Sequence, residues 1–144
     1  MNYKPIVVVA GEPFSIFSEI FFKSLKKYHC KQPIILITSK NHFIAHMNYF
    51  KYNFKINLID NNKFSIKKLD NQKINLINVN FLYKKIFHKI TDKSNSFITK
   101  CFKIAIEIIN NNDCSGLING PISKKNFLKG KNLGITEYLA EKTK

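Results

Sequence analysis

The chain contains no arginine: its 24 basic residues are all lysines, and against nine acids they give a formal charge of +15. A charge of that size raises nucleic-acid binding as a hypothesis. The missing guanidinium, the usual bidentate reader of phosphate and guanine, weakens it. The lysines are also scattered singly or in short pairs, with no dense cluster. Abundant lysine beside abundant asparagine and isoleucine is the mark of an AT-rich genome, so no nucleic-acid partner is expected. Long apolar runs are missing too. The run Ile6 to Ala10 is too short for a bilayer span or a signal-peptide core, and Gly11-Glu12-Pro13 stops it. A cytoplasmic protein with no membrane partner is the expectation. Cysteine is scarce: Cys30, Cys101 and Cys114 are odd in number and lack CxxC spacing, which argues for reduced thiols over a disulfide framework or zinc site. Among the histidines only His42 and His46 share a helical face, and no third ligand lies nearby, so no metal residues are assigned. Gly-x-Gly-x-x-Gly and P-loop signatures are absent, which leaves nucleotide-contacting residues unassigned. Internal repeats and low-complexity linkers are absent as well.

What is present is a chain of 144 residues with 44% hydrophobic and 13% aromatic content, enough for one domain with a real core. Short apolar, β-branched runs bounded by breakers predict strands at Pro5–Ala10, Pro33–Thr38, Lys55–Ile59, Ile74–Val79 and Gly116–Asn119. Between them lie helical patterns. Ile20, Phe21, Leu25 and Tyr28 share one face of a helix capped by Ser15 or Ser18. Ser39 caps a short helix to about Phe50, with Phe43, Met47 and Phe50 on its apolar side. Ile98, Cys101, Phe102, Ala105, Ile108 and Ile109 follow the helical repeat in the longest one, from Ser94 or Ser96 to Asn110, closed by Asn111-Asn112-Asp113. A further helix starts at Lys124–Leu128, and the last runs from Glu137 to Lys144 with Thr136 as its cap. Residues 63–69 fit no period, and 82–90 reads as a loop with a helical turn. Apolar strands alternating with helices predict an α/β fold, three layers α/β/α around a mostly parallel sheet. The final helix carries no stop signal. The chain is therefore expected to be a portion of a longer protein, one unit over 1–144 without an internal boundary.

The most informative stretch is Gly116-Leu117-Ile118-Asn119-Gly120-Pro121-Ile122-Ser123-Lys124. A strand runs into a Gly-Pro break, and a hydroxyl and an ammonium follow where the next helix begins. That order gathers backbone N–H groups, Ser123 and Lys124 at the carboxyl end of a strand, with Lys125 adding to the field. Such a place suits a phosphate. Gly120, Pro121, Ser123 and Lys124 are the candidate anion cradle. Gly11 and Glu12 form a candidate cleft loop, although a carboxylate in a tight loop can equally cap the helix after it.

Three blocks carry a family resemblance. Gly11-Glu12-Pro13-Phe14-Ser15-Ile16-Phe17-Ser18-Glu19 resembles the opening Gly-Asp/Glu-Pro-Ala-Gly-Ile-Gly-Pro-Glu of the 4-hydroxythreonine-4-phosphate dehydrogenases of vitamin B6 synthesis. Gly120-Pro121-Ile122-Ser123-Lys124 resembles their Gly-Pro-Ile-Asn/Ser-Lys, and Gly134-Ile135-Thr136-Glu137-Tyr138-Leu139-Ala140-Glu141 their Gly-His-Thr-Glu-Phe-Leu-Ala-Glu. The blocks stand in the family's order and spacing. The resemblance implies an isocitrate/isopropylmalate-dehydrogenase-like fold of two lobes, of which this chain is the amino-terminal, incomplete part. It also implies a homodimer and NAD-dependent oxidation, with decarboxylation, of 4-phosphooxy-L-threonine. A divalent metal belongs to that chemistry, with its ligands outside this chain. Ile135 and Thr136 fall on the family's substrate-contacting His-Thr pair. Two departures stand out: Ile135 cannot hydrogen-bond where the family has histidine, and Phe14, Ser15, Phe17 and Ser18 replace Ala, Gly, Gly and Pro. A degenerate or truncated relative that only binds a phosphorylated metabolite is the alternative these departures raise, and a basic nucleic-acid binder is the more remote one. The segment alone is expected to be inactive.

Overall fold

A computed structural model describes residues 3–111 and 114–143. Strands β1 (Ile6–Val9), β2 (Ile34–Thr38), β3 (Ile56–Ile59), β4 (Ile74–Asn78) and β5 (Gly116–Asn119) form one sheet in the order β3-β4-β2-β1-β5. Every pairing is parallel; Val8 lies opposite both Leu36 and Ile118, and Leu76 opposite both Leu36 and Leu58. The runs are apolar at consecutive positions because both faces of the sheet are covered. Alternate side chains go to opposite layers. Val7, Val9, Ile35, Ile37 and Ile77 pack beneath α3 (Asn95–Asn111), while Val8, Leu36 and Leu76 meet α1 (Phe17–Lys27) and α2 (Lys40–Tyr49). This is the three-layer α/β/α arrangement expected from the alternation of elements.

All five strands lie where the apolar runs predict them, and the helix ends show where capping logic holds. Ser39 caps α2 by accepting from His42 N. The cap of helix α1 falls between its two candidate serines: Ile16 is the cap residue, Ser15 Oγ accepts from Phe17 N from outside, and Ser18 is buried inside the helix. Helix α3 starts at Asn95, after a 3₁₀ turn (Asp92–Ser94) that Thr91 caps. Its expected terminators Asn112 and Asp113 lie outside the described residues, as does Lys144. Residues 63–69, which have no period, are straddled by two 3₁₀ turns, Asn61–Lys63 and Ile66–Lys68; Asp60 and Ser65 start them by accepting from the backbone two residues on. Residues 81–90 form an irregular strap, without the helical turn expected there. Lys124–Leu128 is a single π turn that ends at Lys129 in the left-handed region (φ 50°). The last helix, α4 (Ile135–Lys142), begins earlier than expected. Gly134 occupies the cap and Thr136 sits exposed within the first turn, which corrects its reading as the cap.

Among the described residues no helix is long and apolar enough to cross a membrane.

Candidate functional site

The site begins with two neighbouring strands whose exits diverge. Chain leaving β1 turns into α1 on one face of the sheet. Chain leaving β5 turns into the π turn and α4 on the other face, where Tyr138 and Phe127 meet edge to face (5.2 Å between ring centroids) and both contact Phe102 of α3. Diverging exits from adjacent parallel strands make the crevice at which α/β sheets hold ligands. Here the two exits are joined by backbone: Gly120 N donates to Val9 O at 2.7 Å and Glu12 N to Pro121 O at 2.9 Å. Glycine is required on both sides. Gly11 has φ +78°, and a Cβ there would lie 2.5 Å from Pro121 O. At Gly120 a Cβ would lie 2.1 Å from Ala10 O and 2.7 Å from the Phe17 ring.

Around this junction the candidate residues are placed as follows. Ser123 caps the π turn, its Oγ accepting from Asn126 N at 3.2 Å and from Asn126 Nδ2 at 3.0 Å. Lys124, Pro121 and Thr136 are exposed. Ile135 is half-buried and packs against the α3-side core. Glu12 is turned inward and only 2% exposed; Ser94 Oγ donates to its Oε2 at 2.7 Å, tying the loop after β1 to the start of α3. Burial holds the Glu12 carboxyl above the ordinary range, opposed by the Ser94 hydroxyl and the Phe14 amide. On the α1 side Gly120 and Pro121 border an apolar hollow of about 390 Å³ with Phe17, Ile20, Phe21 and Ile118. Ile118 is 54% exposed there, and among the described residues no helix covers that face of the edge strand.

Sequence reasoning missed a histidine clasp. His42 and His46 are buried, with ring centroids 4.3 Å apart. Their Nε2 atoms approach one acceptor, the Ile86 carbonyl, at 3.0 and 3.2 Å, while His46 Nδ1 lies 2.8 Å from Ser18 Oγ. Two N–H groups sharing one carbonyl require both rings to carry the proton on Nε2, which leaves His46 Nδ1 to accept from Ser18. The i,i+4 spacing was the available signal; the distant carbonyl that uses it was not readable. Cys101 is buried within α3, and burial pushes its thiol up. Among the described residues no three His, Cys, Asp or Glu side chains converge on one point. These residues do not by themselves fit a metal.

The clasp makes stability pH-dependent. Burial, then the neighbouring His42, lower His46 from 6.5 to about 4, and burial lowers His42 as well. The unfolded chain therefore takes up these protons first, so stability falls as pH drops from about 6.5 toward 4. At about 1.4 kcal/mol per pH unit, His46 alone accounts for about 3 kcal/mol. Glu12, whose raised pKa favours the folded state in acid, acts in the opposite sense. Urea unfolding at pH 7 and pH 4.5 should show the loss, and His42→Gln/His46→Gln should reduce it; equal pH dependence in that variant would exclude the clasp as its source.

A parallel sheet between helical layers, with two glycine exits meeting at the carboxyl end of adjacent strands, defines a three-layer α/β/α lobe. The profile of the family described as pyridoxal phosphate biosynthetic protein PdxA matches residues 29–144, and the chain belongs to this family. No curated protein sequence matches it. Among solved structures, a 4-hydroxythreonine-4-phosphate dehydrogenase from Burkholderia phymatum is similar, with a TM-score of 0.80 and 18% identity over 98% of this chain and 44% of that one. A 4-hydroxythreonine-4-phosphate dehydrogenase from Klebsiella pneumoniae gives 0.74 and 20% identity over 96% of this chain and 44% of that one. At these identities the likeness establishes the fold. The chain spans less than half the length of either structure.

Proposed function

We propose that this chain forms the amino-terminal lobe of an NAD-dependent dehydrogenase that oxidises and decarboxylates 4-phosphooxy-L-threonine, working as a homodimer. The observation that carries the reading is the Gly11–Gly120 junction, a switch point followed at once by Ser123 and Lys124, in a chain that belongs to the family. In this reading the substrate phosphate lies against the backbone after Pro121, with the Ser123 hydroxyl and Lys124 ammonium as its polar contacts. Thr136 presents a hydroxyl from the first turn of α4. The glycines keep the two exits in backbone contact, and Glu12 braces the first of them against α3. NAD would accept the hydride and a divalent metal would polarise the reacting oxygen, with the metal's ligands outside this chain. The protein is read as cytoplasmic, without nucleic-acid or membrane partners.

Incubating the complete gene product with 4-phosphooxy-L-threonine, NAD and a divalent metal should form NADH, while residues 1–144 alone should not. Bound substrate without NADH from the complete product would defeat the dehydrogenase reading. One observation favours a second reading, that of a relative which binds a phosphorylated metabolite without turnover: Ile135 faces the core where the family has a polar substrate contact. Ile135→His should raise turnover under the second reading and leave it unchanged under the first.

A further inference from the structure

The hydroxyl of the candidate cradle is unusual in how its acceptor positions are filled. A serine side chain has one proton to give and two lone pairs to receive. A serine at a cap ordinarily uses one lone pair, for a backbone N–H two or three residues on. Ser123 does so, accepting from Asn126 N at 3.2 Å. Its second lone pair receives the side-chain amide of the same residue, with Asn126 Nδ2 at 3.0 Å. Capping does not need this second bond. The bond leaves the proton as the remaining hydrogen-bonding capacity of Ser123 Oγ, turned away from Asn126.

Asn126 is itself held by another element. Asn95, the first residue of α3, donates from Nδ2 to the Asn126 carbonyl at 2.7 Å. The far end of the π turn is tied to the same region, with Lys129 Nζ 2.8 Å from Asp92 Oδ2. Asn95 makes its bond while its own Oδ1 is buried without a hydrogen-bond partner among the described residues. A buried acceptor left unpaired is disfavoured and calls for a reason; the donor that Asn95 supplies to the π turn is one. Its neighbour Ser94 donates to Glu12, so consecutive residues at the start of α3 brace both strand exits.

We propose that Asn126 is a positioning residue of the phosphate cradle: by filling both acceptor positions of the Ser123 hydroxyl it fixes that hydroxyl as a donor toward the substrate phosphate, with Asn95 holding Asn126 in place from α3. The inference rests on the reading of Ser123 as a phosphate contact. A phosphate monoester at neutral pH presents almost only acceptor oxygens. A hydroxyl free to rotate must be ordered before it can serve such a group, whereas one already fixed as a donor binds without that loss.

Calorimetric titration of the complete gene product with 4-phosphooxy-L-threonine tests this through a double-mutant cycle. Ser123→Ala should weaken binding roughly tenfold or more, as loss of a hydrogen bond to a charged group does. Asn126→Ala should weaken it roughly fivefold, and should add nothing in the Ser123→Ala background, because its effect passes through the hydroxyl. In turnover the loss from Asn126→Ala should appear in KM with kcat unchanged. Asn95→Ala should act in the same sense by roughly two- to threefold, and takes the same place in the cycle should Asn126→Ala fail to fold. Suppose Asn126→Ala weakens binding by the same factor with or without the Ser123 hydroxyl, or leaves it unchanged while Ser123→Ala weakens it. Asn126 then does not position the hydroxyl, and the cradle reading stands without it. Ser123→Ala binding as tightly as the parent protein would overturn the cradle reading and the proposal together.

Discussion

Gly120→Ala is expected to destabilise the protein by about 3 kcal/mol or more, enough to unfold a domain of ordinary stability. The new methyl would sit 2.1 Å from Ala10 O and 2.7 Å from the Phe17 ring, and the first of these neighbours is backbone just past the end of β1, which is paired on both sides. That backbone cannot retreat without breaking the Gly120 N to Val9 O bond at 2.7 Å, which closes the sheet at its carboxyl edge. Gly116 at the other end of β5 provides the control. A Cβ there meets nothing within 4 Å, so Gly116→Ala should be neutral or slightly stabilising. Denaturant unfolding of the two variants makes the comparison. Equal stability would show that the close approach of the β1 and β5 exits is not needed.

Lys124→Ala is expected to lower kcat/KM for NADH formation by the complete gene product by about 100-fold, mostly through KM. A phosphate ester carries close to two negative charges at neutral pH, and losing the one ammonium beside it removes a charge-assisted contact worth about 2–3 kcal/mol. Lys26→Ala, on the exposed side of the last turn of α1, removes the same charge outside the junction and should leave kinetics unaltered. Equal losses in both variants would mean that net charge, rather than the cradle, governs substrate capture.

The strands were legible because each is a short β-branched run bounded by polar or turn-forming residues, and α3 because its apolar residues keep the helical repeat for about three turns. The layer order followed from the alternation of those elements. Helix ends were less legible, since a side-chain cap competes with neighbours that sequence does not reveal: Ser18 is drawn into a bond with His46, and Thr136 yields the cap to the backbone of Gly134. The candidate cradle was visible as composition at a strand end, but the contact of Gly11 with Pro121 depends on β1 and β5 being neighbours, which no local pattern encodes. The same limit hid polar contacts at three places. Glu12 meets Ser94, Ile86 receives both histidines, and the buried Asn75 accepts from Asn57 and from Asp70 N, fixing the connection before β4. The strap at 81–90 has no period because it is held by His42 and His46 on α2 and by ring contacts, not by its own backbone ladder.

The phosphate cradle can be observed without turnover by following backbone amide resonances during titration with 4-phosphooxy-L-threonine. Resonances of residues 122–125 and of Thr136 are expected to move together and saturably, and to stay still in Ser123→Ala/Lys124→Ala. Saturable shifts confined to any other part of the sheet, or unchanged in that variant, would contradict a phosphate site at the end of β5.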